Sequence, residues 1–161
     1  MVIFIVKQLP VIPPDRYTSD LLAFIVPQVL ELVYTAWGIK AFADDVWREA
    51  DKSLRARIRQ QWEANREETG GHVGAEPPPW AEIAPDGIPF PPFKWDEERR
   101  ASLWAELDAL YAHLYGLTRD ELAYILDTFP IVRRKDEERW GEYRTKRMVL
   151  EVYERLQDVD F

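Results

Sequence analysis

A chain of 161 residues, 47% hydrophobic and 13% aromatic, is long enough to bury a real core, and residues 1–161 are read as a single helical domain. A net charge of −8 and a pI near 4.9 exclude an autonomous DNA binder held by charge alone, because that affinity comes mostly from neutralised phosphates. With no cysteine there is no disulfide, thiolate metal site or thiol nucleophile, which fits a cytoplasmic location, and no apolar run approaches the ~20 residues a membrane crossing requires.

The chain opens on a β-branched run, Val2 to Val6, followed by Pro10, Pro13 and Pro14. Five such residues suit a strand, and the prolines force an extended exit, so residues 1–14 are read as a strand with a Pro-rich lead-in. A lone strand leaves its edges unpaired; the expectation is that it is the end of a sheet whose other strands are missing. Thr18-Ser19-Asp20 then caps a helix from Leu21 to Trp37, apolar nearly all round, with Pro27 expected to kink or restart it. After Gly38 a second helix is predicted from about Ala43 to Arg66, with Val46, Trp47, Leu54, Ile58 and Trp62 inward and its charges facing solvent.

Residues 69–95 hold seven of the twelve prolines and four of the seven glycines, which predicts a long irregular loop tacked down by Trp80, Ile88, Phe90, Phe93 and Trp95. Asp96 starts a helix to about Tyr115 with Leu103, Leu107, Leu110, Tyr111 and Leu114 in one stripe, and Gly116 ends it. Thr118 and Glu121 form a capping box for a short helix through Asp127. Phe129-Pro130 breaks the chain, and a last helix is predicted from about Asp136 to Gln157, with Gly141 its weak point. The fold class is therefore mainly α: an irregular bundle of about five helices with a long Pro-rich loop and one N-terminal strand.

Chemistry is sparse. His72 and His113 stand at no metal-ligand spacing, and Asp44-Asp45, Glu67-Glu68 and Glu97-Glu98 are adjacent helix residues whose side chains diverge. No phosphate loop and no nucleophile elbow is present, so an independent hydrolase is the weakest reading. The strongest signal is cationic: from Arg133 to Arg147 seven basic residues, Arg133, Arg134, Lys135, Arg139, Arg144, Lys146 and Arg147, face four acidic ones, a local +3. Arg133, Arg134 and Lys135 are placed at the mouth of the last helix, whose amide donors favour phosphate, and Trp140 and Tyr143 interleave with the cations. Against this, Asp136, Glu137, Glu138 and Glu142 supply carboxylates at ion-pairing spacings, which on spacing alone favours a solvated, ion-paired helix.

The blocks KQLPVIPP at 7–14, VPQVLELVYTAW at 26–37, PPFKWDEERR at 91–100, LDALY at 107–111, LDTFPIV at 126–132 and GEYRTKR at 141–147 resemble the carboxy-terminal region of large restriction-modification methylases. These are the Eco57I-like, type IIG-type DNA adenine methyltransferases, together with related phage-defence methylases. The resemblance implies a module that follows the target-recognition domain, with DNA and the methylase polypeptide as partners and no membrane. S-adenosylmethionine is implied for the parent enzyme, but neither its Gly-rich motif nor the N-P-P-Y/F loop that holds a flipped adenine occurs here. No cofactor site and no catalytic residue is therefore assigned to this chain. The expected role is a non-catalytic brace with DNA-backbone contacts through the seven cations; the alternative is a protein-interaction scaffold that does not touch DNA.

Overall fold

The computed structural model describes residues 11–71 and 76–159. The apolar run Val2–Val6 and His72 lie outside them. Among the described residues there are seven α-helices and no strand. Seven replace the expected five because two predicted helices are each divided. The chain groups into two compact units, Asp20–Leu107 and the segment from Asp108 onward with the residues before Asp20.

In the first unit, α1 (Ser19–Val33) runs through Pro27 without the restart that was one of the two expected outcomes, and stops four residues before Trp37. Nor is it uniformly greasy toward the core: Gln28 and Glu31 are buried while Leu22 and Val33 are exposed. The predicted second helix is two, α2 (Lys40–Glu49) and α3 (Lys52–Glu68). Ala50 turns extended and Asp51 accepts a hydrogen bond from the Leu54 amide at 2.8 Å, capping α3.

The Pro-rich segment packs into this unit through Ile88, Phe90 and Phe93, which join Leu30, Tyr34 and Ile58 in the core. Phe90 stacks on Trp62 (5.1 Å between ring centres) and meets Trp47 edge-on at 5.5 Å. Burying three such side chains contributes about 5–9 kcal/mol toward holding the loop. Trp80 and Trp95, expected as tacks, are 66% and 61% exposed; Trp95 instead lies against the Arg100 guanidinium at 3.7 Å.

Two buried polar clusters complete the attachment. Glu31 accepts hydrogen bonds from Gln61 at 2.7 Å, Asn65 at 2.9 Å and Arg99 at 2.5 Å, while Asn65 exchanges bonds with the Lys94 amide and carbonyl, both at 3.0 Å. Asp44, read from sequence as solvent-facing, is buried against Lys40 at 2.6 Å and accepts from the Ile88 amide at 2.9 Å. Its neighbour Asp45 points outward to Arg48, so the two carboxylates do diverge.

The unit boundary falls within α4 (Glu97–Leu114), which Asp96 caps through the Arg99 amide at 2.9 Å. Gly116, at φ +69°, closes it with the Leu117 amide reaching back to the Ala112 carbonyl at 3.0 Å. In the second unit follow α5 (Arg119–Asp127), α6 (Pro130–Trp140) and α7 (Arg144–Leu156). The Thr118–Glu121 capping box is formed, and α7 packs on both α5 and α6 through Val149, Val152 and Leu156. His113 donates from Nε2 to the Tyr153 carbonyl, 2.8 Å away, and stacks on the Tyr153 ring at 3.9 Å, a link across 40 residues. No helix of the described residues is long and apolar enough to cross a membrane.

Candidate nucleic-acid interface

The cationic stretch does not lie on one helix. Pro130 occupies the first turn of α6, where its missing amide costs nothing, and Gly141 at φ +74° ends that helix. Arg133, Arg134, Lys135 and Arg139 therefore sit along the body of α6, whereas Arg144, Lys146 and Arg147 belong to α7. The expectation that the first three flank the mouth of the last helix is corrected by the extra break.

That mouth is also occupied. Asp136, reaching from α6, accepts from the Thr145 amide at 2.6 Å, so a carboxylate of the chain itself takes up a donor expected to face phosphate. Tyr143, just before α7, donates its hydroxyl to the Leu126 carbonyl at 2.8 Å, which fixes the bend between the helices. Burial raises its phenol above the ordinary range, with Asp136 and Asp127 adding to the shift.

Arg133, Arg134, Lys146 and Arg147 each meet a carboxylate. Arg133 binds Glu137 at 2.8 Å and Arg134 approaches Glu138 at 3.6 Å, both one turn apart on α6. Lys146 pairs with Asp127 at 2.7 Å, and Arg147 forks between Glu142 at 3.0 Å and Glu151 at 3.1 Å. Hydrogen bonds donated to Glu142 and Glu151 raise the Arg147 guanidinium above its usual value, and the bond to Glu137 does the same for Arg133. Asp127 and Glu151 lie outside the window that gave +3. Including them sets seven cations against six carboxylates, a local charge of +1.

An aromatic ring also enters the cluster. Arg139 and Arg144 bring their guanidinium carbons to 4.7 and 4.5 Å from the centre of the exposed Trp140 ring, so one arginine from each helix meets the same indole. Lys135 is exposed on α6. The interleaving of aromatic and cation foreseen in the sequence thus holds for Trp140, while Tyr143 is turned to the backbone of α5.

Elsewhere, no three His, Asp or Glu side chains of the described residues converge as a metal site. No family model, curated protein or solved structure matches the chain.

Proposed function

We propose that this chain is a non-catalytic helical module from the carboxy-terminal end of a restriction-modification DNA adenine methyltransferase, acting in the cytoplasm as part of phage defence. In this reading it braces the target-recognition domain and adds contacts to the DNA backbone, while the parent polypeptide supplies S-adenosylmethionine and the pocket for a flipped adenine. The long, ordered sequence blocks support the family. The observation that carries DNA contact is the exposed Trp140 with Arg139 and Arg144 against its ring, a pairing of a stacking face with two phosphate-binding forks.

The ion pairs of the other cations narrow the contact set. An exposed pair is worth ~0–1 kcal/mol, so a phosphate can displace the carboxylate of Arg134 or Lys146 at small cost. Arg147, forked between two carboxylates, is the least available. Such contacts hold position on the duplex without reading sequence.

The test is fluorescence anisotropy with duplex DNA over a range of salt. Replacing both Arg139 and Arg144 by alanine is expected to weaken binding by about tenfold on every sequence and to flatten the slope of log K against log salt by about 2. A second reading, a scaffold that docks a methylase or defence subunit without touching DNA, is favoured by the carboxylate partners of Arg133, Arg134, Lys146 and Arg147. An unchanged slope selects it.

A further inference from the structure

One short stretch of the second unit puts five large apolar side chains into solvent: Tyr124 at 73%, Ile131 at 62%, and Ile125, Phe129 and Val132. Scattered apolar residues on a surface are ordinary, but five within nine positions are not. Helical spacing places Glu121, Tyr124, Ile125 and Thr128 in one stripe of α5. Leu117, Asp120, Glu121, Tyr124 and Ile125 together line an open depression of about 460 Å³. Its rim is anionic. Glu121 is fixed as a carboxylate by its bonds to Thr118, which hold its pKa below the usual value, and Asp120 is exposed beside it.

The next helix carries the opposite combination. On α6, Ile131 shares a stripe with Arg134 and Lys135, three and four positions on. The chain thus presents an acid-rimmed apolar hollow followed, ten residues later, by a base-rimmed apolar side chain, both within one compact unit.

We propose that this face binds a second copy of the chain about a twofold axis, the hollow of each copy receiving Ile131 of the other, with Asp120 facing Arg134 and Lys135 across the interface. The occupant follows from charge complementarity: a hollow with an acidic rim takes an apolar anchor flanked by cations, and α6 of this chain has that chemistry. A twofold arrangement meets both needs at once and closes, so it makes a dimer and not a fibre. Antiparallel α5 helices, each about 13 Å long, also set the acidic start of one beside the end of the other, where α6 begins. The apolar part of the surface, Tyr124 and Ile131, is separate from Trp140, Arg139 and Arg144, so those two positions test it apart from DNA contact, while Arg134 and Lys135 are shared with the cationic cluster.

Sedimentation equilibrium of the whole chain tests it. With rising concentration the mass is expected to go from 19.0 kDa toward twice that value. Tyr124→Glu and Ile131→Glu, at positions whose exposure spares the fold, are each expected to weaken association by at least about tenfold, with unchanged circular dichroism. Asp120→Lys is expected to weaken it too, and Asp120→Lys combined with Arg134→Glu and Lys135→Glu to restore most of the loss. A chain that stays monomeric overturns the proposal; so does a dimer indifferent to Tyr124→Glu and Ile131→Glu, or a charge exchange that rescues nothing.

Discussion

Gly87 is the position where a single methyl group should cost most. A Cβ built there lies 2.3 Å from Asp44 Oδ1 and 2.6 Å from its Cγ, and the side chain it meets is buried. Ordinary contact requires a displacement of about 1 Å. The same Oδ1 accepts from Lys40 Nζ at 2.6 Å and from the Ile88 amide at 2.9 Å, so such a shift carries both bonds past useful length. Each bond to a charged group is worth about 1.5–3 kcal/mol, and stranding one member of a buried pair costs about 3–5 kcal/mol. Allowing for backbone relaxation, Gly87→Ala is expected to lose about 3 kcal/mol, a fall in melting temperature of roughly 6–12 °C for a chain of this size. Urea denaturation followed by tryptophan fluorescence measures it. Gly38, with nothing within 4 Å of a built Cβ, is the control: its alanine variant should stay within about 0.5 kcal/mol of the native chain. In a Lys40→Met, Asp44→Ala background, where the side-chain atoms that the new methyl would meet are gone, the cost of Gly87→Ala should largely vanish. A Gly87→Ala chain as stable as the native one would refute the reasoning, as would an equal loss in both backgrounds.

Thr118→Ala removes one half of the capping box at α5 and is expected to cost about 1 kcal/mol in the same denaturation assay; a change under about 0.3 kcal/mol would mean the box contributes nothing to folding. Alkali offers a different check. Burial, with a hydrogen bond to Tyr17, pushes the Tyr111 phenol up to about 12, and burial likewise raises Tyr34, whose hydroxyl donates to the Phe90 carbonyl at 3.1 Å. The unfolded chain releases these protons near pH 10 while the native chain keeps them. Stability present below pH 10 should therefore fall as pH rises toward 12, and Tyr111→Phe should remove part of that fall. Denaturation midpoints that stay level from pH 9 to 11 would contradict the assignment.

What was legible in the sequence was local. Thr118 and Glu121 are three residues apart and Gly116 supplies the left-handed turn, so these boundaries lie where expected, whereas Pro130, read as a break ahead of a helix from about Asp136, is itself the start of α6. The break at Ala50-Asp51 was hidden because an aspartate among many helix charges reads as surface, and only the backbone turn at Ala50 makes it a cap. Gly141 was seen as a weak point but not as a terminus, which moved Arg133 to Lys135 onto a helix of their own. Buried Glu31, Asp44 and Asn65 were illegible for another reason. Their partners lie 34 residues away for Glu31–Asn65, 44 for Asp44–Ile88 and 68 for Glu31–Arg99, and no periodicity encodes such a meeting.

The candidate interface shows the same limit with a functional consequence. Counted along the sequence, Arg133 to Arg147 carries +3; counted in space, Asp127 and Glu151 reduce it to +1. Seven independent phosphate contacts would give a salt slope of about −6, whereas two, from Arg139 and Arg144, would give about −2. The smaller figure leaves little long-range attraction, and a body of net −8 opposes even that. Any grip on DNA must therefore come at short range, from the indole of Trp140 and the two guanidinium groups against it.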